Sequence, residues 1–174
     1  MSYVDMLQIN NAINDLDRRI AALEAANGKG DWTLTQSQNV PAGVNTRLLF
    51  QQQNEPPVGI AIATVSYVEA NQPAHSASEF TILSSGRWDI RLDARWTNGG
   101  GATDRYVMIG SNTGVFWGKN SSSGANFNLH VATERDFFAG EKFNAYAYNG
   151  STSQVEREGD TLITRLVATQ RRAA

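Results

Sequence analysis

The chain of 174 residues contains no cysteine. Neither a disulfide framework nor a thiolate metal site is open to it, so stability has to come from packing or association. Long apolar runs are missing too. No stretch approaches the roughly 18 apolar residues of a membrane span, and the N-terminus lacks a basic region followed by an apolar run. The expectation is a protein made in a cytoplasm and not exported by the usual route, without a signal peptide and without membrane insertion. Charge of one sign is scarce: 15 Lys and Arg stand against 17 Asp and Glu, a net charge of -2. Nucleic acid and anionic surfaces therefore have no electrostatic reason to bind.

Catalytic residue types are equally thin. Histidine occurs only at 75 and 130, and two histidines without cysteine make a poor zinc set. A hydrolase triad needs Ser, His and Asp within hydrogen-bond reach. His75 lies in a Pro/Ser/Ala segment, His130 lies between Leu129 and Val131, and no Gly-x-Ser-x-Gly elbow is present. Asp89 and Asp93 share one strand face, as glycosidase carboxylates would, but they alternate with Arg87, Arg91 and Arg95. Salt bridging is the simpler reading of that pattern. Asp104 with Asn98 comes nearest to an oxygen set for calcium, without EF-hand spacing. Asn120-Ser121-Ser122 and Asn149-Gly150-Ser151 match the glycosylation pattern by chance in a chain without a secretory signal. The reading is a non-enzyme that needs no cofactor and no metal.

What the chain does have begins at its N-terminus. Met6, Ile9, Ile13, Leu16, Ile20 and Leu23 are spaced three, four, three, four and three residues apart, which is the a/d seam of a coiled coil. Arg19 and Glu24 flank the last heptad at g and e, where they face each other across neighbouring helices. Arg19-Ile20-Ala21-Ala22-Leu23-Glu24 resembles the Arg-apolar-x-x-apolar-Glu motif of three-stranded coiled coils. Ser2 with Asp5 gives a weak N-terminal cap, and Asn27-Gly28 gives a stop. The rod between them would be roughly 30 Å long. A lone amphipathic helix would show a wider apolar stripe.

After Gly30 the period changes to two. Strands are expected over residues 44–51, 59–68, 79–83, 87–96, 104–111, 115–117, 127–133, 142–148 and 161–169. Residues 87–96 are the clearest: Trp88, Ile90, Leu92, Ala94 and Trp96 point one way, and five charged residues point the other. Pro56-Pro57 should end the first of these strands. Strands separated by turns, with no helical pattern between them, make a β-sandwich. The organisation expected is an anchor and trimeric coiled coil over 1–27, a linker or first edge strand over 28–43, a sandwich over 44–170 and a tail over 171–174.

Four segments in order carry a resemblance. They are Asn39-Val40-Pro41-Ala42-Gly43 with Thr46-Arg47-Leu48-Leu49-Phe50, Phe80-Thr81-Ile82 with Ser85-Gly86-Arg87-Trp88, Phe138-Ala139-Gly140-Glu141-Lys142-Phe143, and Thr161-Leu162-Ile163-Thr164-Arg165-Leu166. Together they resemble the C1q/TNF-like jelly roll, a trimeric head. Glu141 stands where that family has Asp, and the last strand lacks its Phe-x-Gly. The implied fold class is mainly β, a jelly-roll sandwich preceded by an α-helical coiled coil. The resemblance also implies aromatics meeting on a three-fold axis, for which Phe143, Tyr146 and Tyr148 are the candidates; ordinary core packing is the rival reading.

A short coiled coil carrying such a head, without cysteine, looks like a bacteriophage virion protein. The expected function is a homotrimeric head-fibre, tail-fibre or minor tail protein whose N-terminus docks on other virion proteins and whose head binds a host-surface saccharide. Three weak sites on one trimer would give avidity. The loops at 69–78, 97–103, 119–126 and 149–159 are candidate contacts, and Trp117 is the candidate stacking residue. A purely structural capsid decoration trimer and a host-encoded C1q-like binding module are the alternatives.

Overall fold

The strict alternation over residues 87–96 produces the longest strand among the described residues, Gly86–Trp96. The computed structural model describes residues 6, 8–16, 28–68, 74–96, 104–122, 128–150, 153–156 and 164–171. Residues 6 and 8–16 are helical. Thirteen strands follow among the described residues. They are β1 (Lys29–Thr33), β2 (Gln38–Val40), β3 (Thr46–Arg47), β4 (Gln52–Val58), β5 (Ile60–Tyr67), β6 (His75–Ile82), β7 (Gly86–Trp96), β8 (Arg105–Ser111), β9 (Phe116–Ser122), β10 (Asn128–Phe137), β11 (Lys142–Asn149), β12 (Ser153–Glu156) and β13 (Arg165–Arg171).

They form two antiparallel sheets. One runs β2-β12-β7-β13-β1-β4, with β10 paired along the other side of β7. The other runs β5-β6-β11-β8-β9, with β3 beside β11. The inner faces are the alternating apolar sets that the sequence pattern provides. Trp88, Ile90, Leu92 and Trp96 of the first sheet meet Phe80, Ile82, Val107, Ile109 and Phe143 of the second in one core. An aromatic spine crosses the sandwich: Trp32 stands edge-on to Phe80 at 4.9 Å, Phe80 stacks on Phe143 at 4.9 Å, and Phe143 lies 6.0 Å from Phe137. Offset and edge-to-face pairs of this kind add to the burial of their area.

Several strand boundaries differ from expectation, each for a physical reason. Residues 28–43 hold two strands: β2 ends its sheet among the described residues, as an edge strand does, whereas β1 is an inner strand. β1 lies between β13 and β4 with Trp32 buried, so its backbone donors and acceptors are used on both sides. Gly30 makes room there, because a Cβ at this position would stand 1.9 Å from the Trp32 ring. Pro56-Pro57 do not stop a strand but lie inside β4. This is tolerated because β4 ends the sheet among the described residues and the β1–β4 register breaks between Lys29 and Asp31, so the two prolines fall in a bulge. The expected strand 44–51 shrinks to Thr46–Arg47. The irregular chain beyond it is held by Ser78, whose Oγ accepts from Phe50 N at 2.8 Å and donates to Phe50 O at 3.1 Å. Gly59, at φ 67°, makes the tight β4–β5 turn. Its carbonyl accepts from Leu83 N and Ser84 N.

Candidate functional site

The seam residues that fall within the described helix are all wet on a single chain: Met6, Ile9, Ile13 and Leu16 are 47–54% exposed. Arg19, Ile20, Leu23 and Glu24 lie outside the described residues. So do Asn98, residues 97–103 and parts of the other three loops proposed as contacts.

The outward face of the larger sheet is a lattice of charges. Alternation on β7 turns Arg87, Asp89, Arg91 and Asp93 away from the core, and β10 and β13 bring partners in register. Arg91 Nη2 donates to Asp89 at 2.7 Å, and Arg171 Nη2 donates to the same oxygen at 3.1 Å. The Arg91 and Arg171 bonds hold the Asp89 carboxyl below its usual range in spite of burial. Arg87 Nε donates to Glu134 at 2.8 Å, and His130 Nδ1 lies 3.9 Å from Asp93. On β1, Asp31 accepts from both Arg165 nitrogens and from Asn54. Burial works to raise its carboxyl, but these donors outweigh burial and lower it. An open depression of about 350 Å³, lined by Asp89, Arg91, Val167, Thr169, Gln170 and Arg171, sits on this face.

The outward face of the smaller sheet is aromatic. The three residues expected on a three-fold axis lie on β11 in this sheet. Phe143 is a correction to that expectation: it points inward and is 0% exposed, so it has no surface to offer a second copy. Tyr146 points outward yet is 2% exposed. It lies under Phe116 and Arg47, and its hydroxyl donates to Ser111 O at 2.7 Å. Tyr148 is half-buried and leans on Tyr106. The Arg47 guanidinium sits 4.0 Å over the Tyr67 ring. Tyr67 in turn donates to Glu79, which also accepts from Lys142 at 2.6 Å. Burial works to raise the Glu79 carboxyl, and Lys142 and Tyr67 outweigh it and hold the carboxyl low.

Trp117 is half-buried at the β9–β10 side, edge-on to Phe137, with the Arg135 guanidinium 4.2 Å over its ring. One ring face is thus covered by the protein's own cation, which leaves core packing as a large part of its role. His75 stands in β6 rather than in a loop, in the sheet opposite His130, so the two histidines share no site. Among the described residues no group of three or more His, Asp or Glu is placed to hold a metal ion. A cleft of about 340 Å³, lined by Gln38, Thr46, Arg47, Leu49, His75 and Ser76 among others, opens beside β3. Gln38 in its lining is fixed by two bonds to the Leu49 backbone.

The sequence matches no family model and no curated protein. Among solved structures, murine APRIL at pH 5.0 is similar with a TM-score of 0.53 and 7% identity over 83% of this chain and 99% of that one. Murine APRIL at pH 8.0 has a TM-score of 0.49 with the same identity and coverage. The head is a TNF-like jelly roll. At this identity the likeness is one of fold, and function has to be argued from the two outward faces and the helix.

Tyr106 and Lys119 were not singled out from the sequence. The available signal was that Tyr106 and Met108, and Tyr146 and Tyr148, put large apolar or aromatic side chains at outward positions, where a one-sided sheet carries polar ones.

Proposed function

We propose that this chain is a homotrimeric virion protein of a bacteriophage, a fibre or minor tail protein whose helical stalk leads to an outward head that binds the host surface. The observation that carries the reading is the helix. Met6, Ile9, Ile13 and Leu16 repeat at heptad spacing and stay about half exposed on one chain. A stripe of this kind is buried by copies of itself. Three heptads are marginal alone, so the head has to share in assembly. The charged lattice on β7, β10 and β13 supports that role by offering both signs to a neighbouring copy. Its alternation also discourages unspecific edge pairing. Trimerisation converts three weak head sites into useful avidity.

Light scattering on a sizing column tests this with the full chain and with a truncated chain beginning at Gly28. The expected mass of the full chain is three times that of one protomer. The truncated chain then reports how much of the assembly the head supports. A monomeric full chain overturns the proposal. Detection of the protein in purified particles tests the virion assignment separately, and its absence from them overturns that part.

A further inference from the structure

A two-layer sandwich needs apolar side chains only where the sheets face each other. The smaller sheet carries a second apolar layer on the side turned away from the core. Register places Tyr148 beside Tyr106 and Tyr106 beside Ser121. The next row runs Arg47, Tyr146, Met108 and Lys119 across four strands. Val107, Ile109, Ala145 and Ala147, which alternate with these residues, belong to the core cluster; the tyrosines and Met108 therefore point outward. Met108 is nevertheless only 2% exposed. Tyr106 and Tyr148 bring this layer to the surface, with ring centroids 5.2 Å apart and planes inclined by 46°. The Lys119 ammonium lies 3.7 Å from the Tyr106 ring centroid, and among the described residues it makes no ion pair with a carboxylate. Tyr106 Oη donates to Asp104 at 3.3 Å, and Ser121 is exposed at the rim. Neither tyrosine belongs to the core cluster, so the packing of the sandwich does not account for them.

We propose that Tyr106, Tyr148 and Lys119 form a saccharide-binding shelf whose ligand is a carboxylate-bearing glycan. This deepens the reading of the head as a host-surface binder and rests on it. A pyranose has a face of C–H groups and an edge of hydroxyls. Tyr148 offers a ring face to the first, Tyr106 adds its own once Lys119 leaves it, and the phenol hydroxyls meet the second. Asp104 accepts from sugar hydroxyls, and Ser121 donates to or accepts from them. Lys119 supplies the charge complement: its ammonium is stored on an aromatic face, from which a carboxylate of the ligand draws it. Arg47, stacked between Tyr67 and Tyr146 at 4.0 and 5.2 Å from their ring centroids, adds a second positive charge along the same face. A protein partner would need a wider desolvated patch than two half-exposed rings. The shelf is distinct from Trp117, which packs on Phe137 at the β9–β10 side.

The test uses the full-length protein and immobilised polygalacturonate, hyaluronate and polysialic acid, with dextran and galactan as neutral counterparts, read by biolayer interferometry. The expected result is binding to one or more acidic polymers at least tenfold stronger than to the neutral ones, a loss of tenfold or more in Tyr148→Ala, and loss of the acidic preference in Lys119→Gln. Lys119→Gln removes an exposed charge and its contact with the Tyr106 ring but no core group, so its melting temperature should stay close to that of the native protein and a folding defect is separable from a binding defect. Binding of acidic polymers that neither substitution changes overturns the shelf. Binding lost in Trp117→Ala but kept in Tyr148→Ala overturns the shelf and leaves host binding standing. The same holds if the protein labels host cells but binds none of the polymers. Failure to bind both cells and polymers overturns the shelf together with the host-binding reading.

Discussion

Asp31→Asn should destabilise the head at neutral pH and cease to matter in acid. Asp31 sits on an inner strand with its side chain only 8% exposed, and it accepts from Arg165 Nε at 2.7 Å, from Arg165 Nη2 and from Asn54 Nδ2 at 3.0 Å. These bonds join β4, β1 and β13 through one carboxylate. A hydrogen bond to a charged group contributes about 1.5–3 kcal/mol. Arg165 is 48% exposed, and solvent access on that side brings the pair toward the surface value of about 1 kcal/mol or less. The amide keeps the shape and one acceptor, so the expected loss is about 1–2 kcal/mol at neutral pH.

The sign of the pH dependence follows from the direction of the shift. The Asp31 carboxyl is lowered in the native state. Its contribution is complete above the ordinary carboxylate range and disappears as pH falls through the lowered native value. The gap between native protein and variant should therefore narrow progressively below about pH 4. Urea unfolding followed by tryptophan fluorescence reads this, with both proteins at one fixed concentration because association couples to unfolding. A gap that is absent at neutral pH, or that stays constant into acid, refutes the role assigned to the Arg165–Asp31–Asn54 contact.

Phe80 touches Trp32, Phe50 and Phe143, so Phe80→Ala should cost about 3–5 kcal/mol in chemical unfolding; a loss below 1 kcal/mol would mean the spine is not the centre of the core. Gly30→Ala forces a methyl into the Trp32 ring and should cost about 1–3 kcal/mol, with a neutral substitution refuting that close approach. Ile13→Asp puts a charge in the exposed seam and should reduce the mass of the full chain in solution while leaving the near-UV circular dichroism of the head unchanged; retention of the native mass would remove the helix from the assembly.

How much of this was legible depended on whether one face of an element decides its pattern. β7 was readable residue by residue because only its inner face is apolar, so Trp88, Ile90, Leu92 and their charged neighbours alternate cleanly. β1 was read as linker or first edge strand because residues 31–41 form a polar passage rich in Gln, Asn and Ser. What makes it an inner strand is Asp31 bonding laterally to Arg165, a contact 134 residues away in sequence. β4 was misread because the rule that proline ends strands has an exception at sheet edges, and edge position is a tertiary property. The third misreading concerns Phe143, grouped with Tyr146 and Tyr148. Their spacing by two and three residues makes a set of aromatics visible, but alternation on β11 sends Phe143 to the core and the two tyrosines to the opposite face. The seam residues 6–16 were found as a helix, as the spacing requires, whereas nothing in a single chain's periodicity identifies the number of copies that cover it.

The two outward faces make different demands on a trimer, and this gives a way to tell which face the copies use. Residues Arg87, Asp89, Arg91, Glu134 and Arg171 present both signs on the larger sheet within one bonded lattice. Such a face can meet a copy of itself without leaving a buried charge unpaired, at the cost of desolvating ions that are already paired. The smaller sheet presents Tyr106, Tyr148 and Lys119, which lack a network of that kind and suit a small ligand better than a symmetric copy. Reversing one charge of the lattice should therefore break assembly of the truncated chain beginning at Gly28. Arg171→Glu places a third carboxylate beside Asp89 and Glu134, both of which Arg171 now approaches at 3.1 and 3.9 Å, and like charges at an interface repel. Light scattering should show a lower mass for Arg171→Glu and the native mass for Tyr148→Ala, with the melting temperature of each recorded to exclude unfolding. The opposite outcome, in which Tyr148→Ala dissociates the head and Arg171→Glu does not, would assign the copies to the aromatic face and remove the reason for placing a ligand there.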